Sequence, residues 1–209
     1  NGMLWYGGSP AWTMLGRGDG AFNAFDLATP DSVFYTSTQY LNIWKYSNGS
    51  WINATAGLTD ANTGNSGFIA PFAMCPSNPE ILIAGSDNIW RTTDGAASWT
   101  NNSPNLNPGS RITAVAFSPA TGGCATYFAG NTFGRVHRGT ADGAVWLDVT
   151  GDLPGRAIND IATHPGNPAV VVVCLSGFGG SHVYRTTNAL DEFPTWAAID
   201  AGIPDTPVN

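Results

Sequence analysis

The chain has 209 residues, of which only 11% are charged, and its formal charge is −7 with a single lysine, Lys45. An acidic chain without a basic stripe is a poor match to nucleic acid or an anionic membrane surface, and no run reaches the ~18 apolar residues of a membrane-spanning helix. Eight Trp and ten Phe supply the apolar area of a packed core, which a disordered segment would lack.

Taken in order, residues 1–15 read as the second half of a repeat: a strand at Met3–Tyr6, a Gly-rich turn and a strand at Trp12–Leu15. Four full units are expected after it, at 16–57, 58–104, 105–152 and 153–201, with 202–209 starting another. Their strands are predicted at Ala21–Asp26, Val33–Thr36, Asn42–Tyr46 and Trp51–Thr55; Phe68–Met74, Ile81–Ala84, Asn88–Arg91 and Ser98–Asn101; Ile112–Phe117, Thr126–Ala129, Arg135–Arg138 and Val145–Val149; Ile158–Thr163, Val170–Leu175, His182–Arg185 and Thr195–Ile199. Each unit's first turn combines Pro with Asn, Asp, Ser or Thr, residues that preset or tolerate turn backbone. No stretch has helical periodicity over a useful length.

The units are organised around one phrase, residues 89–99, Ile-Trp-Arg-Thr-Thr-Asp-Gly-Ala-Ala-Ser-Trp. Asp94-Gly95 between apolar runs is a hairpin signal, and Thr92 and Asp94 have side chains that fasten such a turn by local hydrogen bonds. The phrase recurs in degraded form, closing at Trp51, Trp99, Trp146 and Trp196, so the steps are 48, 47 and 50 residues. Four short strands per unit at that period predict an all-β fold of propeller blades: about four complete four-stranded blades plus a partial N-terminal one, a segment of a ring of seven blades or more. A half-closed ring exposes strand edges, so the expected partners are the remaining blades of the same protein or another copy.

The turn Thr-x-Asp-Gly-x-x-x-Trp at 92–99 resembles the Asp-box (BNR) repeat of sialidases, xyloglucanase-type glycosidases, sortilin-like receptors and photosystem assembly factors. The turns at 47–51 and 139–146 are shortened, and Asn188 replaces the aspartate in the turn ending at Trp196. Gly18-Asp19-Gly20, the run from Ser176 to Thr187 and Ile203-Pro204-Asp205-Thr206-Pro207-Val208-Asn209 look like large secreted bacterial proteins with sortilin- or xyloglucanase-type repeats. The resemblance implies a fold firmly and an activity only loosely. A sialidase would carry an Arg-Ile-Pro motif and a Tyr-Glu pair; this chain has no Arg-Ile-Pro, and its only glutamates are Glu80 and Glu192.

In such blades the turns joining strands one to two and three to four share one face, so Thr92, Asp94, Gly95, Trp99, Asp142, Gly143, Trp146, Trp51 and Trp196 read as structural. The opposite, channel face is expected to collect Arg17, Tyr40, Asp60, Asp87, Arg111, Phe133, Arg135, Arg156, Phe178 and His182. Aromatics stack on sugars, and Arg holds an anionic group. Asp19 and Asp160, both expected in blade-joining loops, are the carboxylate candidates for acid/base work on a glycosidic bond. Cys75, Cys124 and Cys174 fall at non-equivalent points of their repeats and read as buried small hydrophobes, with a disulfide left open. His137, His164 and His182 lack ligand spacing, so neither a metal nor a cofactor is expected. Asn48, Asn53 and Asn101 stand in N-x-S/T sequons on outer turns. The function expected is that of a secreted, non-catalytic interaction module with carbohydrate or protein as its ligand. The alternatives are a xyloglucanase-type hydrolase and a sortilin-like peptide-binding propeller.

Overall fold

The computed structural model describes residues 3–16, 18–29, 33–206 and 208. Strands β1 (Met3–Tyr6) and β2 (Trp12–Gly16) form a two-stranded antiparallel sheet. Four sheets of four antiparallel strands follow in chain order. The first blade is β3 (Asn23–Phe25), β4 (Val33–Thr38), β5 (Asn42–Ser47) and β6 (Ser50–Asn53). The second is β7 (Phe72–Cys75), β8 (Asn78–Gly85), β9 (Ile89–Thr92) and β10 (Thr100–Asn101). The third is β11 (Ile112–Ser118), β12 (Thr126–Asn131), β13 (Val136–Thr140) and β14 (Trp146–Asp148), and the fourth is β15 (Ile158–Thr163), β16 (Val171–Leu175), β17 (Val183–Thr186) and β18 (Ala197–Ala198). This is the expected all-β propeller architecture.

Each blade is an up-and-down meander, so its first strand is an edge. β3 packs on β7, β7 on β11 and β11 on β15, which lines the first strands along the common axis. Because side chains alternate across a strand, the middle strands are apolar on both faces. In β8, Leu82 and Ala84 face the first blade while Ile83 faces the third. In β12, Tyr127 and Ala129 face the second blade while Phe128 faces the fourth. The core is therefore three seams between consecutive blades, where burying each large apolar side chain contributes ~1.5–3 kcal/mol. The approach is close enough to require glycine at Gly85 and Gly130, where a Cβ would stand 2.4 Å from Ile112 and 2.5 Å from Ile158.

The closing tryptophans fasten the seams. The indole N–H of Trp99 donates to the Ala54 carbonyl (2.8 Å), that of Trp146 to Asn102 (2.9 Å) and that of Trp196 to Val149 (3.2 Å), each on the preceding blade's outgoing chain. Trp51 differs. Its hairpin is a two-residue turn with Asn48 and Gly49 at φ 48° and 85°, and its ring meets Phe34 and Tyr46 edge-on. Phe34 also stacks on Trp5 of β1, so the two-stranded sheet covers the first blade's outer face.

Three expectations are corrected. Phe68 lies outside the strand that was predicted from 68: Pro71 has no N–H to donate, so pairing begins at Phe72. Asp160 lies within β15, opposite Cys174, as the strand predicted over Ile158–Thr163 has it and not in a blade-joining loop; the register shifts between Ile158 and Asp160, and the same irregularity recurs at Ile112/Ala114. Cys75 and Cys124 are a disulfide, not separate thiols, with Cα atoms 5.9 Å apart. Cys75 starts the first turn of its blade and Cys124 ends the first turn of the next, so their non-equivalence in the repeat is what lets them meet across the seam. Cys174 is a free, half-buried thiol whose pKa is pushed up by burial and by Asp160.

Candidate functional site

The turns that join second to third strands (39–41, 86–88, 132–135 and 176–182) interlock with the blade-joining loops (54–71, 102–111 and 149–157) into one rim. Tyr40 N–H donates to the Phe68 carbonyl and accepts from Asn62 N–H through its own carbonyl. The Thr132 and Ser176 amides donate to the Arg111 and Ala157 carbonyls. The rim thus links four blades by backbone bonds, independent of side-chain identity.

Asp60 is buried in this rim and serves its structure. Its carboxylate accepts from Ser86 Oγ (2.6 Å), Asn65 Nδ2 (3.0 Å), Trp90 Nε1 (3.1 Å) and Asn88 Nδ2 (3.2 Å). Burial alone would raise its pKa, but the hydrogen bonds from Ser86, Asn65, Asn88 and Trp90 outweigh it and hold the carboxyl below the usual range. Arg111 forms an ion pair with Asp87 at 2.6 Å and donates to the Gly64 carbonyl, so it spans the second turn and the preceding loop.

On the fourth blade Arg156 donates to the Ser181 carbonyl and lies 3.4 Å from His182 Nδ1. His182 Nε2 donates to Asp205 Oδ1 at 2.8 Å. The Leu175 carbonyl is also 3.4 Å from Nδ1. Asp205 also accepts from the Gly179 amide, and the bonds from His182 and Gly179 lower its pKa. Asp200 accepts from the amides of His182 and Val183, which holds it low as well. These bonds brace the glycine-rich loop that presents Phe178.

Of the other candidates, Asp19 is half-buried at the first blade's end of the rim, its amide donating to Gln39 Oε1 at 3.1 Å. Arg135 faces Asp148 at 3.9 Å with both exposed. Arg17 lies outside the described residues. The rim's exposed large apolar side chains are Ile69 and four aromatics: Tyr40 is 40% exposed, Phe68 50%, Phe133 49% and Phe178 70%. Tyr40 and Phe68 meet edge-on with centroids 5.4 Å apart. Asp19 and Asp160 belong to opposite ends of the series of axial strands, the first blade and the fourth. Among the described residues no three His, Cys, Asp or Glu side chains are grouped as metal ligands would be, and no helix is long and apolar enough to cross a membrane.

The residues assigned to the opposite face hold turns. Asp94 accepts from Thr92 Oγ1 and Ser98 Oγ at 2.6 Å and from the Ser98 amide at 3.0 Å. Those bonds, the Ser98 hydroxyl foremost, lower its pKa to about 2. Thr140 and Asp142 repeat the pairing at 2.6 Å, and Thr186 with Asn188 at 2.8 Å. Asn188 Oδ1 also accepts from the Thr195 amide, a bond that needs no charge. Sequence reasoning missed Asp200, Asp205, Ser86, Trp90 and Phe68. Asp200 was findable, since Ser103 and Thr150, two repeats and one repeat earlier, likewise accept from the amide that opens the third strand.

No protein-family model matches the chain, and no curated protein matches it. Solved structures do. An ancestral GH74 enzyme superposes with a TM-score of 0.62 at 21% identity, over 88% of this chain and 25% of that one. The GH74 xyloglucanase from Xanthomonas campestris gives 0.62 at 15%, over 87% and 30%. Raptor from Chaetomium thermophilum gives 0.67 at 14%, over 90% and 18%. The chain therefore spans under a third of each of these proteins. What the likeness establishes is the fold: these residues form a β-propeller segment.

Proposed function

We propose that this chain is a secreted, non-catalytic carbohydrate-binding segment of an Asp-box-type propeller, with the rim as its binding face. The observation that carries the reading is the set of exposed aromatics on the rim, Tyr40 with Phe68, Phe133 and Phe178, in loops whose backbone is fixed by hydrogen bonds. Exposed rings cost little to desolvate and offer flat faces to pyranose rings, while Arg111 and Arg156 leave polar edges beside them. Asp60 and Asp87 are committed to rim structure and are not available as acid or base. The disulfide between Cys75 and Cys124 supports an oxidising, extracytoplasmic setting.

Affinity electrophoresis in gels containing xyloglucan or unsubstituted β-glucan tests this reading, paired with a reducing-sugar assay on the same polymers. Retardation without release of reducing ends supports it; no retardation in any β-glucan sinks it. A second reading, hydrolysis of the xyloglucanase type, draws on the likeness to GH74 enzymes and on Asp160, exposed on an axial strand. It requires turnover that Asp160→Asn or Asp19→Asn removes.

A further inference from the structure

The repeat lets equivalent positions be compared across seams. In the second blade, Ser86 follows β8, and Trp90 on β9 stands diagonally across from it on the same face. Both donate to the buried Asp60 carboxylate, which the long loop 54–71 brings in from the preceding blade. In the third blade the equivalent positions are Asn131 and His137: His137 pairs with Ala129, and Asn131 is two residues further along β12, on the same face. Here the joining loop, 102–111, is short. Counting from the equivalent leucines Leu58 and Leu106, Pro108 stands where Asp60 would.

The consequence is visible in the hydrogen bonding. Asn131 is 0% exposed and His137 6%. Asn131 Oδ1 accepts from the amides of Phe133 and Arg135 at 3.0 Å, which fixes the amide's orientation. Its Nδ2 and the Nε2 of His137 are both buried and without a hydrogen-bond partner. The fourth blade has Leu175 and Tyr184 at these positions and no orphaned group there among the described residues. Two buried, unpartnered nitrogens at the positions whose equivalents hold a carboxylate one blade earlier are a costly arrangement unless something bonds to them.

We propose that this spot in the third blade binds one small monovalent anion, which does for Asn131 Nδ2 and His137 Nε2–H what Asp60 does for Ser86 and Trp90. Asn131 Nδ2 carries only protons and demands an acceptor. Arg135, two residues from His137, adds positive potential, and Asp148, the cross-strand partner of His137, opposes it from a half-exposed position, so the proposed contacts rest on the two nitrogens and not on net local charge. The inference does not depend on the carbohydrate reading.

Bromide is the probe. Thermal unfolding of the whole chain in sodium bromide, at ionic strength held constant with a bulky organic anion, is expected to show Tm rising by about 2–4 °C. Asn131→Asp retains the Oδ1 that caps the Phe133 and Arg135 amides but replaces the donor with a negative oxygen, so the rise should vanish. Anomalous diffraction from wild-type crystals soaked in bromide should place a peak within hydrogen-bonding distance of both nitrogens. An equal bromide response in wild type and Asn131→Asp would overturn the proposal. So would a wild-type map with a water, or nothing, at that position, and that map decides even if the variant does not fold.

Discussion

The seam between the first and second blades and the seam between the second and third share a backbone plan and differ in chemistry. The first is closed by polar groups: Asp60 gathers four donors, and Lys45 Nζ and Tyr35 OH both reach the Gly95 carbonyl at 3.0 Å. The second is closed by the Cys75–Cys124 bond and by Tyr127 OH, which donates to the side-chain oxygen of Asn102 on the second blade's outgoing chain, and it leaves two buried nitrogens unmatched. Common to both is the indole N–H of the closing tryptophan on the preceding blade's carbonyl. The repeat conserves the geometry of the seam, and each seam satisfies its polar groups separately.

Removing the common element should hurt most. Trp99→Ala empties a buried indole site and orphans the Ala54 carbonyl, with an expected loss of about 3–5 kcal/mol by denaturant unfolding. Trp51→Ala, at the divergent half-exposed hairpin, should cost less than about half of that. Next comes the covalent seam. Cys75→Ser with Cys124→Ser should lower stability by about 2–4 kcal/mol, an effect that reducing agent mimics in the wild type and leaves unchanged in the double variant.

Asp60→Ala should cost about 1–3 kcal/mol, because Trp90 Nε1 and Asn88 Nδ2 lose a buried acceptor. Asp60→Asn should recover part of that loss, since its amide oxygen still accepts. The smallest effect separates two turns by pH. Asp94 has a folded pKa of about 2 against 3.8 for the free side chain, so its stabilisation is full above the unfolded value and is lost as pH falls through 4 toward 2. Asn188 holds the equivalent turn without a charge, so Asp94→Asn should flatten that part of the acid-unfolding profile.

The strand order was legible because Trp, Asp-Gly and Pro-containing turns recur at a fixed period and middle strands buried on both faces read as apolar runs. Phe68 misled because an aromatic ahead of Ala70 and Phe72 extends the apolar pattern, while the missing N–H of Pro71 ends the pairing. The disulfide was hidden because spacing within one chain does not show which turns of consecutive blades touch. The rim was legible as a set of loops but not as a set of bonds. That Asp60 is buried and Phe178 exposed depends on loop length and on glycine backbone at Gly177, Gly179 and Gly180, not on residue type.

The central claim is that the rim aromatics bind carbohydrate, and calorimetric titration of the chain with a xyloglucan oligosaccharide, wild type against Phe178→Ala with Phe133→Ala, tests it most directly. The account predicts saturable binding by the wild type, weakened tenfold or more (about 1.4 kcal/mol) in the double variant at unchanged Tm. Equal affinity in the two proteins, or no heat with any β-glucan oligosaccharide, would contradict it.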